Sequence, residues 1–175
     1  MTDNARAEGA RAFPPSHDAS ADRDSLGDDG QASVLTITPA VDEAIRAHGQ
    51  QTYPHECCGA LLGRDASVTD IVALPNTTEE GPRRRFLVRA GDYRQAEQRA
   101  TELGVELLGF YHSHPDHPAR PSQYDLDHAW PSFSYVIVSV MSGEPVDLRS
   151  WKLKEDRSAF DEEPIVNPHS TTVNR

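Results

Sequence analysis

Residues 105–114, VELLGFYHSH, carry an almost unbroken apolar run straight into two histidines. A stretch of that kind with no proline reads as a strand buried on both faces. Such a strand must have neighbours on either side and layers above and below it, which commits the chain to a layered sheet domain. Side chains two apart on a strand leave the same face, so His112 and His114 emerge together where the buried run ends.

The flanking sequence supplies the other elements. SVLTIT (33–38) reads as a strand, and Thr38 caps a helix with Pro39 at its first position. Val41, Ile45 and His48 share one face of that helix, which ends before Tyr53-Pro54. CGALLG (58–63) and SVTDIVAL (67–74) read as strands joined by a polar turn, and RRFLVR (84–89) as another. Asp92 is expected to cap a helix through YRQAEQRATEL that Gly104 closes. Ser122 opens a short helix, YVIVSV (135–140) is a second buried strand, and DLRSWKL (147–153) alternates like an antiparallel edge. Strands interleaved with two or three helices give an α/β or α+β sheet domain.

Composition sets the limits of the folded part. Only 37% of the 175 residues are hydrophobic, and residues 1–31 hold almost no large apolar side chain. That composition cannot offset its ordering entropy, so a disordered N-terminal arm is expected there. The folded domain is expected over 32–160, followed by a flexible tail over 161–175. A net charge of −11 with no basic stripe argues against nucleic acid. No run approaches 18 apolar residues, so no membrane span is expected. The N-terminus lacks the apolar core of a secretory signal. The adjacent Cys57 and Cys58 are poorly placed for a disulfide, which fits a reducing cytoplasm.

Two imidazoles on one face of a rigid strand make half of a zinc site, or else a hydrogen-bonded core pair. Two completions of a site compete. HSHPDH can be read as H-x-H-x-D-H, resembling the metallo-β-lactamase superfamily, with Asp116 and His117 as ligands. That pattern needs further histidines, and only His128 and His169 follow. Alternatively the prolines of PARPS turn the chain back, and Asp125 closes the set from the first turn of the next helix. Asp125 has a simpler reading too, because at N3 behind the Ser122 cap it satisfies the helix dipole. Two histidines and one carboxylate would leave a fourth zinc position open, the pattern of catalytic rather than structural zinc.

HSHPDHPARPSQYD also matches H-[S/T]-H-P-x6-S-x2-D without a gap, and so resembles the JAMM (MPN-plus) metalloprotease signature. YPHECCGALLG supplies Glu56 where that family has an upstream glutamate, before a glycine-containing apolar strand. The resemblance covers most of 33–155. It implies a curved mixed β-sheet flanked by helices, similar to cytidine deaminases. It implies one Zn²⁺ per chain held by His112, His114 and Asp125, with Glu56 as general base toward a zinc-activated water and Ser122 as oxyanion donor. It further implies a compact metalloprotease or isopeptidase acting on the C-terminal Gly-Gly tail of a ubiquitin-like or sulfur-carrier protein, taken by strand addition beside an exposed strand. A non-catalytic MPN-type binding scaffold is the other reading within the same fold.

The remaining residues read more plainly. Cys57 and Cys58 are small core residues, Ser113 bonds within the sheet, and Trp130 and Phe133 pack. Asp116, His117 and Arg120 sit at the mouth of the site, and 83–85 form a basic cluster that is solvated or meets an acidic partner. Oligomeric state leaves no mark in the sequence.

Overall fold

The structure is a computed structural model in which residues 33–76 and 90–168 are described. The expected strand at 84–89, the cluster at 83–85, residues 1–31 and His169 lie outside them. Along the chain run β1 (Leu35–Ile37), α1 (Pro39–Thr52), β2 (Cys58–Arg64), β3 (Ser67–Leu74) and α2 (Ala90–Leu103). They are followed by β4 (Glu106–Pro115), α3 (Gln123–His128), β5 (Ser134–Met141), β6 (Glu144–Leu153), β7 (Phe160–Glu163) and β8 (Ile165–Val166).

Local chemistry explains the helix ends. Thr38 is extended, and its side chain accepts from the Val41 amide, while Pro39 fills the first helical position. Val41 and Ile45 are buried beneath α1 as the pattern requires, and His48 reaches the Tyr111 hydroxyl with Nδ1 at 2.8 Å. α2 begins two residues before Asp92, so Asp92 sits within the first turn and does not cap the helix. A carboxylate there still faces the positive end of the helix dipole. Gly104, at φ +66°, closes α2 as expected. Its amide donates to Thr101 and that of Val105 to Ala100.

The described strands form one mixed sheet in the order β7-β6-β5-β4-β2-β3-β1-β8. β4 lies at its middle, antiparallel to β2 and parallel to β5. α1 covers one face with Leu35, Ile37, Val41, Ile45, Leu61, Tyr111, Val136 and Val138 in the core. The opposite face holds Ala60, Phe110 and Tyr135 beneath Ala96 and Ala100 of α2, with Trp130 and Phe133 packed on them. Phe110 meets both of those rings edge-on, at 6.2 and 5.3 Å, so they pack as anticipated. Each large aliphatic side chain buried this way contributes about 1.5–3 kcal/mol.

Two expectations are corrected at the C-terminal end. Residues 147–153 are antiparallel to β5, but β6 is not an edge, because β7 pairs along its other side. Alternating polarity suits an interior strand with one polar face as well as an edge. The boundary expected at 160 also falls later, since Phe160–Glu163, one aromatic and three acidic residues, and then Ile165–Val166 form β7 and β8. Glu163 is buried there, accepting from the Ser150 hydroxyl at 2.7 Å. β7 and β8 terminate the strand order at its two ends, yet only Pro164 separates them in the chain. The sheet therefore curves until its ends nearly meet, and the Leu35 amide donates to the Pro164 carbonyl at that seam.

Candidate metal centre

The site grows out of strand register. Cys58 pairs with His112, and His112 pairs with Ile137 on β5. Two residues along, His114 pairs with Ser139. Both histidines thus share the face of Phe110, away from α1. Ser113 points the other way and accepts from the Cys57 amide at 2.8 Å, the within-sheet bond expected of it. The Cys57 carbonyl accepts from the Ser113 amide, so the next step of the same antiparallel register sets Glu56 opposite His114.

The third donor returns through a tight loop. Asp116 takes a left-handed φ of 55°, an excursion that Asp tolerates better than most residues. Ser122 then caps α3, with Asp125 at N3 in a reciprocal capping box. That cap aims the Asp125 carboxylate back at the strand end. Asp125 Oδ1 lies 3.4 Å from His112 Nε2, and Oδ2 lies 3.6 Å from His114 Nε2. The two Nε2 atoms are 3.0 Å apart. Among the described residues this is the one group of three or more His, Cys, Asp and Glu side chains whose ligand atoms converge, all within 4.8 Å of one another.

Electrostatics follow from burial and from these contacts. Burial works to raise the pKa of Asp125, but the neighbouring His112 and His114 imidazoles and the Ser122 hydroxyl hold it well below the usual carboxylate range. Burial lowers the pKa of His112, opposed in part by Asp125. Burial acts against protonated His114 as well, yet Asp125 and the Pro118 carbonyl prevail and raise its pKa. Burial pushes Glu56 up to about 8, with His114 pulling it down and Asp125 adding to the rise. Cys57 and Cys58 are raised to about 11 and about 12, chiefly by burial, so neither offers a thiolate at neutral pH.

A metal ion fits this donor set. His114 Nδ1 lies 2.9 Å from the Pro118 carbonyl, which can only accept, so in the neutral ring Nε2 carries the lone pair. That lone pair points at a second imidazole nitrogen and a carboxylate, an arrangement of donors that a cation satisfies. Beside it the buried Glu56 Oε2 has no hydrogen-bond partner among the described residues. The arrangement can hold a divalent ion and present a carboxylate to whatever shares the open position.

The rival ligand set does not assemble. Asp116 instead accepts from the Tyr53 hydroxyl at 3.0 Å and the Ser142 amide at 2.8 Å, out on the rim. His117 is exposed with Arg120, and His128 stacks on Tyr124 with ring centroids 4.0 Å apart. Sequence reasoning missed the side chains that anchor the loop, Ser139 and Trp151, because both lie on strands distant along the chain.

Its relatives place the chain among the hydrolases of the JAMM/MPN class. More narrowly, the model for prokaryotic homologues of the JAB domain matches residues 38–154, and the chain belongs to that family. A Mycobacterium tuberculosis protein named CysO-cysteine peptidase is 28% identical over 137 residues, covering 78% of this chain and 92% of that protein. The desampylase of Haloferax volcanii is 30% identical over 115 residues, 62% of this chain and 82% of that one. Among solved structures, a Salinibacter ruber protein is 45% identical with a TM-score of 0.62, covering 78% of this chain and 94% of the other. A Desulfitobacterium hafniense protein is 34% identical with a TM-score of 0.67, covering 77% and 92%.

Proposed function

We propose that this chain is a zinc-dependent isopeptidase that hydrolyses an amide at the C-terminal tail of a ubiquitin-like or sulfur-carrier protein. The observation that carries the reading is Glu56, a buried carboxylate with an unpartnered oxygen, set opposite His114 beside three converging donors. In this reading His112, His114 and Asp125 hold one Zn²⁺ per chain. Zinc, when bound, would polarise a carbonyl and bring the pKa of water down to about 7.

The chain's own residues supply the proton handling. Glu56 takes a proton from the attacking water and returns it to the departing amine. Its raised pKa, about 8, matches it to that exchange near neutrality. Ser122 Oγ stands at the mouth of the site, where its proton can reach the oxygen that gains charge. A non-catalytic scaffold has no need of a buried carboxylate oxygen without a partner, which costs stability.

The substrate class is supported by the named activities of the relatives, a CysO-cysteine peptidase and a desampylase, together with a Thermus thermophilus protein named as a probable TtuB-protein conjugate cleaving protease. Small residues such as Gly-Gly would let an extended tail approach the buried strand ends. A cytoplasmic site of action fits two buried free thiols. No described helix is long and apolar enough to cross a membrane.

The test is metal analysis with cleavage of a carrier protein bearing a C-terminal amide-linked cysteine. Wild type should hold about one zinc per chain and cleave, and Glu56→Gln should keep the zinc and lose cleavage. Full activity in Glu56→Gln would sink the role of Glu56. Zinc lost in His117→Ala but kept in Asp125→Ala would sink the ligand set.

A further inference from the structure

The loop between His114 and Ser122 has no regular ladder of its own, yet three consecutive carbonyls in it are held by side chains from elsewhere. The His117 carbonyl accepts from Ser139 Oγ at 2.7 Å, that of Pro118 from His114 Nδ1 at 2.9 Å and from the Arg120 amide at 2.8 Å, and that of Ala119 from Trp151 Nε1 at 3.0 Å. Asp116 ties the start of the loop to Tyr53 and Ser142. The carbonyl that meets His114 is therefore the middle one of three.

Geometry makes the outer two contacts bear on the middle one. Peptide units are planar, and Pro118 has its φ fixed by its ring, so little freedom separates these three carbonyls. Turning the Pro118 carbonyl away from His114 rotates a neighbouring peptide and breaks the bond to Ser139 or to Trp151. Ser139 is 2% exposed and stands beside His114 in the β4–β5 ladder, on the same face. Trp151 reaches in from β6. Ser139 is the sole buried hydroxyl that donates to this loop among the described residues.

We infer that Ser139 and Trp151 are positioning residues, which fix the orientation and tautomer of the His114 ring by immobilising the Pro118 carbonyl. The consequence for metal affinity rests on the function proposed above, whereas the consequence for the ring stands without it. The Pro118 carbonyl is the ring's direct outer partner, and loss of such a partner typically changes metal affinity by about 10–100-fold. A residue that merely braced the loop would lower stability and leave the ring's tautomer alone.

The experiment follows the His114 ring nitrogens by NMR in metal-free protein, at a pH where the ring is neutral, and then titrates with zinc. Wild type should hold the proton on Nδ1. Ser139→Val and Trp151→Phe should move part of the population to Nε2–H and weaken zinc binding by up to about 100-fold. Ser139→Thr matches Ser139→Val in volume and keeps the hydroxyl, so it should restore both readouts. Unchanged tautomer populations in Ser139→Val and Trp151→Phe overturn the inference, whatever happens to the melting temperature. Equal defects in Ser139→Thr and Ser139→Val overturn the role of the hydroxyl. Should the position-139 variants not fold, Trp151→Phe alone decides. Absence of zinc binding in wild type would defeat the metal-centre reading and leave the tautomer result to judge this one.

Discussion

The Ser122 hydroxyl is committed to Asp125 in both directions. Its Oγ donates to Asp125 Oδ2 at 2.7 Å and accepts from the Asp125 amide at 3.2 Å. The Ser122 amide donates to the same Oδ2 at 2.6 Å, so the carboxylate keeps one partner if the hydroxyl turns away. The lone pair of that hydroxyl caps the helix, and its proton would have to leave the Asp125 carboxylate to meet an oxyanion in the proposed mechanism. Ser122→Ala should lower kcat by about 10²–10³-fold with little change in KM. The lost cap should cost about 1 kcal/mol of stability. Steady-state kinetics and thermal melts separate the two effects, and a defect confined to KM would contradict the oxyanion role.

Glu56→Gln should reduce kcat by about 10²–10⁴-fold, the usual contribution of a general acid–base. Bound zinc measured by metal analysis should stay at the wild-type level, because Glu56 is not in the converging donor group.

The same substitution has a signature in stability. Folded Glu56 ionises near 8, against an ordinary 4.5. Between those values the folded state holds a proton that the unfolded chain has released, so rising pH favours unfolding. Metal-free wild type should therefore lose stability relative to Glu56→Gln from about pH 5 to pH 8, by on the order of a few kcal/mol. Denaturant midpoints of both proteins across that range check it. A wild-type-minus-mutant difference that is flat, or that grows with pH, goes against the buried carboxylate.

Gly109 pairs with Ser134 where β4 and β5 first meet. A Cβ at Gly109 would collide with the Ser134 backbone carbonyl, which cannot swing aside as a side chain can. Gly109→Ala should cost about 3 kcal/mol or more, among the larger effects of a single substitution. Chemical denaturation measures this, and the variant should bind zinc more weakly because His112 lies farther along the same ladder.

Ending the chain after Ala159 removes β7 and β8 together. β1 and β6 would each lose a hydrogen-bonded neighbour, and buried Glu163 would be lost from beneath Ser150. The truncated protein should unfold at markedly lower denaturant than one ending after Pro168. Equal midpoints would mean that the segment is the tail its composition suggests.

How far the sequence could be read depended on range. The pairing of His112 and His114 was legible because alternation on a strand is local, whereas local rules left Asp125 competing with Asp116 and His117 until the JAMM signature chose it. The structure brings His112, His114 and Asp125 together and sets Glu56 across from His114. Glu56 in isolation reads as a solvated turn residue, and only its place relative to the histidine motif singled it out. The failures are long-range. Phe160–Glu163 has the polarity of a tail, and its pairing with β6 leaves no local trace. Asp92 was a boundary error of three residues, since the helix starts at Ala90 and not at Tyr93. The anchoring of the 116–120 loop by Ser139 and Trp151 was invisible, because neither the donors nor their distant carbonyl partners form a pattern in sequence.

The seam at Pro164 also decides how the molecule resists being pulled apart. β1 and β8 run parallel and are hydrogen-bonded to one another, one near each end of the described fold. Tension between the two ends of the chain would slide these strands past each other along their length, loading their hydrogen bonds together instead of peeling them one by one. A motor drawing on either end would meet its first mechanical resistance at this seam, far in sequence from the histidines.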